Sequence, residues 1–377
     1  MKDLQQKDRL FRHFSAQRWY TLLEVPVFFG EGQHGAEKLI TDIDVLALRP
    51  GNDLRWELVC GDCKTLKNQS PGNRVLWMKV VMDHFAASSG IIILQRNKGN
   101  EFEPDHKLFA SSLGITLLDE REFQRYDAAL NFPGGTAGFA YGAEDVARLR
   151  EPATRFPKLE QYVQYVSGAA WNQQDFMLML RTTLGEGKAI AREIDPRRPE
   201  HLALVFEGAA VFAVAAAACA GRVFNQYLLP ETESILDHAL KAIIWGGQGQ
   251  YEFVARLRTE LLRAKGMSEE EGNALALPRW ADFAQLVRSL LEHPRLGFQA
   301  PHILRCAALD FVIGRNALGQ YGQEDLALLK YSMLVAKYYC RACELPSEVA
   351  EILVSVLAKR QSEIVHGGEP KQRLFDR

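Results

Sequence analysis

Thr41-Asp42-Ile43-Asp44-Val45-Leu46-Ala47 is followed, a short way along the chain, by Trp56-Glu57-Leu58-Val59-Cys60-Gly61-Asp62-Cys63-Lys64-Thr65. Both stretches are apolar and β-rich, and Pro50-Gly51-Asn52-Asp53 between them is a strong turn signal. They read as adjacent strands, 39–48 and 54–63, expected to pair antiparallel. Residues two apart on a strand share a face, so Asp62 and Lys64 project together. Apolar sequence precedes both Asp44 and Asp62, which sets the two acids where buried strands emerge at a rim. The register is open from sequence alone, but neighbouring strands make an Asp44–Asp62 contact feasible.

Working outward, residues 3–16 place Leu4, Leu10, Phe11 and Phe14 at near-helical spacing, and 20–29 is a β-rich run whose Pro26 suggests an edge or a bulge. After the two strands, Pro71-Gly72-Asn73 introduces a helix to about Ala87. Gly90 stops it, and Ile91-Ile92-Ile93-Leu94 reads as a fully buried strand. Helix, short strand and helix follow over 102–113, 115–118 and 120–130. The expected order is α-β-β-β-α-β-α-β-α, an α/β domain around a mixed sheet covering residues 1–130.

Residues 131–157, with Pro133-Gly134-Gly135, Gly138, Gly142, Pro152 and Pro157, read as a linker. Beyond them, 158–377 has segments of helical length and spacing at 159–183, 201–224, 231–245, 251–265, 280–291, 303–313, 323–343 and 347–365, an expected all-α domain of open role. The run 202–221 is apolar enough to raise a membrane span. Its alanine content and Glu207 favour a tightly packed core helix instead, so no membrane partner is expected. The polar opening Met1-Lys2-Asp3-Leu4-Gln5-Gln6 carries no export signal, and six scattered cysteines in a core-forming chain point to reduced thiols and a cytoplasmic setting.

The 377 residues carry a formal net charge of −2, and acids and bases are nearly balanced up to Leu130. An overall basic excess is therefore not what would hold a polyanion, and any groove for one must come from local clustering. Locally, two carboxylates a few ångströms apart repel unless a cation neutralises them. Oxygen ligands with open positions suit Mg²⁺ or Mn²⁺, which acidify a bound water and neutralise a phosphate. A neighbouring lysine ammonium can orient that water and stabilise the pentavalent transition state. Asp44, Asp62 and Lys64 thus suit phosphodiester hydrolysis.

Asp44, then Asp62-Cys63-Lys64, set in an α-β-β-β-α-β core with Ile-Asp-Val-Leu-Ala around the first acid, resembles the restriction-endonuclease-like, or PD-(D/E)xK, nucleases. The resemblance covers roughly residues 1–120. It implies that Asp44 and Asp62 bind the metal with the Cys63 carbonyl, that Lys64 is the catalytic lysine, and that DNA is the substrate more readily than RNA. It also implies self-association as a homodimer, but says nothing about the helical half. Defence against foreign DNA or DNA repair is the expected setting of such an activity, and a protein partner on the helical domain is a separate expectation. Many members carry a glutamate in the first helix. Here that helix has none, and Asp8 is the substitute expected from position, with Gln5 and Gln6 as alternatives. The motif's proline is also missing.

Other residues have two readings each. Lys67, Arg74 and Lys79 are candidate phosphate-backbone contacts or solvated helix faces. Asp42 and Glu24 either join the rim or face solvent. Cys60-Gly-Asp-Cys63 and Cys340-Arg-Ala-Cys343 are two C-x-x-C units that could build a zinc site, against which stand their position in regular elements and the long separation between them. Trp171, Arg181, Arg192, Arg197, Arg198 and Arg222 are candidates for a nucleic-acid or partner surface, against an ordinary core and solvated faces. At the level of function, the missing glutamate and balanced charge leave a catalytically inactive nuclease-fold scaffold as the alternative to an active enzyme.

Overall fold

Helix α1 (Leu4–Ala16) buries one face, on which Leu10, Phe11 and Phe14 are joined by the charged Lys7 at spacings of three and four. Its start is tied to the far end of the strand that carries Lys64, because Asp3 Oδ1 accepts the Thr65 N–H at 3.0 Å. A computed structural model describes residues 3–29, 38–65, 70–95, 102–130, 139–266 and 275–366. Lys67, one of the candidate phosphate contacts, lies outside the described residues.

After α1 come β1 (Tyr20–Phe29), β2 (Lys38–Pro50), β3 (Trp56–Lys64), α2 (Pro71–His84), β4 (Ser89–Leu94), α3 (Pro104–Ser112), β5 (Ile115–Asp119) and α4 (Glu120–Leu130). This is the expected order. The five strands lie side by side in sequence order, antiparallel from β1 to β3 and parallel from β3 to β5. The parallel steps need crossovers, which α2 and α3 supply. Ile91, Ile92, Ile93 and Leu94 are all buried, as the uninterrupted apolar run predicts. Pro26 is tolerated because β1 is the sheet edge. That edge is capped by Asn172, which donates to the Pro26 carbonyl and accepts the Phe28 N–H.

The remaining helices are α5 (Ala143–Arg148), α6 (Pro152–Arg155), α7 (Glu160–Ser167), α8 (Phe176–Ala189), α9 (Pro199–Tyr227), α10 (Glu233–Ile244), α11 (Gln248–Ala264), α12 (Trp280–Glu292), α13 (Pro294–Gly297), α14 (Ala300–Ile313), α15 (Leu326–Ala342) and α16 (Ser347–Val365). No strand interrupts them among the described residues. Helix α9 is the axis of this half, with α8, α10, α12, α14 and α15 packed against it. It is long and apolar enough to cross a membrane by length and composition, yet its apolar window is wholly buried inside the protein. Its alanines let neighbours approach closely. At Gly221 the gap is smaller still: a Cβ there would collide with the Leu54 carbonyl in the β2–β3 turn.

Two expectations about organisation change. Of the expected linker 131–157, residues 131–138 lie outside the described residues; the described part, 139–157, is packed rather than a spacer, since it holds α5 and α6 and buries Phe139, Tyr141 and Ala143. The glycine and prolines that suggested a linker serve as helix starts, Gly142 before α5 and Pro152 opening α6. Nor are the sheet and the helices separate bodies, since their buried apolar residues form one continuous core. Trp56 Nε1 of β3 donates to the Val214 carbonyl of α9 at 2.8 Å.

Candidate active site

The β2–β3 ladder runs from Pro50↔Trp56 to Val45↔Gly61 and no further. Beyond it the Asp44 side chain takes over, and its Oδ2 accepts the Cys63 N–H at 2.7 Å. Lys64, two residues past Asp62 and on the same face, puts its Nζ 3.0 Å from Asp44 Oδ2 and 3.1 Å from Asp62 Oδ1. The three residues singled out from sequence therefore converge on one ammonium. Both acids are buried, Asp62 fully.

Two further cations complete the cluster. Arg74, in the first turn of α2, binds both oxygens of Asp62 and stacks 3.6 Å over the ring of Trp77. Its helix starts where it does because Pro71 fits the first position and Ser70 Oγ accepts the Asn73 N–H. Lys7 of α1 reaches Asp44 Oδ1 and Glu24 Oε1, each at 2.9 Å. The result is an alternating chain of charge, Glu24–Lys7–Asp44–Lys64–Asp62–Arg74. Glu24, Lys64 and Arg74 keep 27, 23 and 16 % of their side-chain surface exposed, which marks the open side of the site.

Gly61 is what lets α1 approach so closely. A Cβ there would stand 2.5 Å from Leu10 Cδ2 and 3.1 Å from Val45 Cβ. Lys7 lies one turn before Leu10, so the seat of Leu10 on Gly61 also sets Lys7 against Asp44. Glu24 is strained: between the pairs Leu23↔Val45 and Val25↔Ile43 its backbone adopts φ 48°, a left-handed conformation costly for a residue with a Cβ.

The electrostatics separate the two acids. Burial alone would raise Asp44, but Lys64, the Lys7 hydrogen bond and the Cys63 N–H together hold it below the ordinary carboxylate range. Asp62 is pushed up, by burial first and by the charge of Asp44, against the pull of Arg74 and Lys64. Lys64 is also raised: burial works against its charge, and the two carboxylates outweigh it. It stays an ammonium at neutral pH and serves as a donor and a positive charge, not as a base.

The donor set suits a hard cation in kind. Asp44, Asp62 and the Cys63 carbonyl offer only oxygen. The Cys63 thiol is buried and pushed well above its usual pKa, first by burial and then by the charges of Asp44 and Asp62. It therefore remains S–H and does not compete. No group of three His, Cys, Asp or Glu side chains able to hold a metal ion occurs among the described residues, and a metal on Asp44 and Asp62 would exchange with the cations now on them.

Other candidates lie elsewhere. Asp8 is not at the site: one residue past Lys7, it faces round the helix, accepts the Ala143 N–H at the start of α5 and pairs with Arg12. Gln6 donates to Glu120, and Gln5 is exposed. Asp42 is exposed, and Lys79 pairs with Asp83 along the surface of α2. Arg74, a candidate phosphate contact, instead holds Asp62. The six cysteines are free and buried, with Cys60 and Cys340 pushed by burial to about 12, so neither C-x-x-C unit presents thiolates. Trp171 belongs to the core, its Nε1 donating to the Val166 carbonyl. Arg181 donates to the Ile244 carbonyl and stacks on Trp245. Arg222 pairs with Asp175, Arg197 and Arg198 pair with Asp195, and Arg192 is exposed.

A comparison with protein families, curated proteins and solved structures finds no match for this chain.

Proposed function

We propose that the chain is a metal-dependent nuclease of the restriction-endonuclease-like type, hydrolysing phosphodiester bonds in DNA. The observation that carries this reading is Lys64 Nζ held within 3.1 Å of both Asp44 and Asp62 at the mouth of two adjoining strands. Asp44, Asp62 and the Cys63 carbonyl would hold Mg²⁺ or Mn²⁺, which when bound supplies an acidified water and neutralises phosphate charge. Lys64, fixed as an ammonium, stabilises negative charge developing on the phosphate. Arg74, at the open side, is placed to exchange Asp62 for a phosphate, whose oxygens its planar fork matches. Purified protein is incubated with plasmid, single-stranded DNA and RNA in Mg²⁺ or Mn²⁺, beside Asp62→Ala and Lys64→Ala. Cleavage of DNA by the wild type alone is expected. Equal cleavage by all three proteins, or none by the wild type, sinks the proposal.

One observation favours a second reading, a nuclease fold kept as a scaffold. Every carboxylate oxygen of Asp44 and Asp62 already faces a cation, so the cluster is neutralised without a metal. Calorimetry with Mn²⁺ separates the readings: the scaffold gives no binding heat that depends on Asp44.

A further inference from the structure

We propose that Lys7 stands in for one divalent cation, so that this site takes one metal ion fewer than its carboxylates would otherwise hold. The proposal rests on the metal-dependent reading above. Lys7 is a positioning residue here, since it acts on Asp44 and Glu24 and is too enclosed to meet a substrate.

The side chain of Lys7 is 4 % exposed, a rare state for a lysine. A buried ammonium is tolerated only when paired, and this one is paired twice, with Asp44 from β2 and Glu24 from β1. Helix α1 thus delivers a cation where the resemblance led to the expectation of a carboxylate. Its place is fixed from two sides: Leu10, one turn on, is seated over Gly61, and Asp3 is bound to Thr65. The strained Glu24 backbone belongs to the same arrangement.

The consequence for metal binding follows from distance. Lys7 Nζ is 2.9 Å from Asp44 Oδ1. A Mg²⁺ or Mn²⁺ ion on that oxygen, at about 2.1 Å, would lie no more than about 5 Å from a fixed positive charge with little water between them. Asp44 is left with Oδ2, which also accepts the Cys63 N–H and faces Lys64, an ammonium that, unlike Lys7, keeps 23 % of its side-chain surface in solvent, where its charge is screened; Asp44 therefore cannot bridge two ions. Removing the Lys7 charge frees Asp44 Oδ1 and Glu24 Oε1, two carboxylates from neighbouring strands and enough to seat one more hard cation. An ordinary structural ion pair would leave the number of bound ions unchanged.

The full-length protein is titrated with Mn²⁺ by calorimetry, with the bound ion followed by electron paramagnetic resonance, for wild type, Lys7→Arg and Lys7→Gln. One isolated Mn²⁺ per chain is expected for wild type and Lys7→Arg, and a spin-coupled pair for Lys7→Gln. Two ions on the wild type, or one on both wild type and folded Lys7→Gln, overturns the proposal while the metal-dependent reading stands. None on the wild type but one on Lys7→Gln keeps the role of Lys7 and sinks that reading; none on any protein sinks both. Should Lys7→Gln not fold, Lys7→Glu replaces it with the same gain of one ion expected. If that too fails, a spin-coupled pair on the wild type overturns the proposal and a single uncoupled ion supports it.

Discussion

The protein buries two clusters of charge, and they are built on different plans. In one, Arg305 of α14 donates to both oxygens of Glu207 on α9, to the Tyr20 hydroxyl and to the Thr21 carbonyl of β1, and it stacks 4.4 Å over the Tyr20 ring. Every group in it is buried. One cation is saturated by partners from two elements, α9 and β1, and nothing is left over for a ligand. In the other, six charges alternate from Glu24 to Arg74, each carboxylate of the central pair is shared by two cations, and three members reach solvent. The first joins the sheet to the helices. The second can give up one partner and keep its charge balanced by another, as a site that admits an ion or a phosphate must.

The sharpest way to break this contrast is to remove one charge from each cluster. Arg305→Met strands Glu207 in a closed interior and should cost about 3–5 kcal/mol of stability, read by denaturant unfolding. The double variant Arg305→Met/Glu207→Leu should recover much of that loss, because no unpaired charge remains. A cost below about 1 kcal/mol for the single variant would show that the closed cluster is as exchangeable as the open one.

Lys64→Ala makes the same test on the other side. Asp44 keeps Lys7 and Asp62 keeps Arg74, so stability should fall by no more than about 2 kcal/mol. Turnover of DNA in Mn²⁺ should drop by roughly 10²–10³, the scale set by losing one preorganised donor at a transition state. A large loss of stability with unchanged turnover would make the open cluster structural.

How far this difference could be read beforehand varies by residue. Asp44, Asp62 and Lys64 were legible because they sit in local strand patterns with period two and beside a strong turn. The order of elements up to α4 was legible for the same kind of reason. Lys7 left a weaker trace, as the one lysine on the stripe Leu4, Leu10, Phe11 and Phe14; a charge at a core position asks for a partner, but not which one. Glu207 and Arg305, charges inside apolar helices, left the same trace. That Arg74 turns to Asp62 depends on where α2 starts relative to β3, a tertiary fact with no sequence period behind it. Asp8 lies one residue past the position that faces the site, which on a helix is about 100° of rotation.

Close packing sharpens the comparison further, because the open cluster has a glycine seat beside it at Gly61, whereas the seat at Gly221 lies about 21 Å along α9 from Glu207. Gly61→Ala displaces Leu10 and with it Lys7, while Gly221→Ala pushes the Leu54 turn away from α9. Both should cost about 1–3 kcal/mol through overpacking. Only Gly61→Ala should also lower DNA turnover and alter the number of bound Mn²⁺ ions. Equal effects on activity would mean that α1 does not set the site.

The smallest expected effect separates the clusters by pH. His302, one turn before Arg305 on α14, is buried against Phe139, Tyr321 and Cys306. Burial first, then the charges of Arg18 and Arg305, lowers its pKa to about 3. The folded protein holds it neutral while the unfolded chain protonates it near 6.5. Its stabilising share is therefore fully present above the unfolded pKa and is lost as pH falls from there toward 3. Asp44, depressed in the fold, gives up its share only on acidification below the ordinary carboxylate range. Between pH 7.5 and pH 6 the wild type should thus lose roughly 1 kcal/mol through His302. His302→Gln should remove that increment, so the gap in unfolding free energy between the two proteins should narrow by the same amount on going to pH 6. A gap independent of pH would show that His302 titrates normally in the fold, and that the interior beside Arg305 is wetter than its closed hydrogen bonding implies.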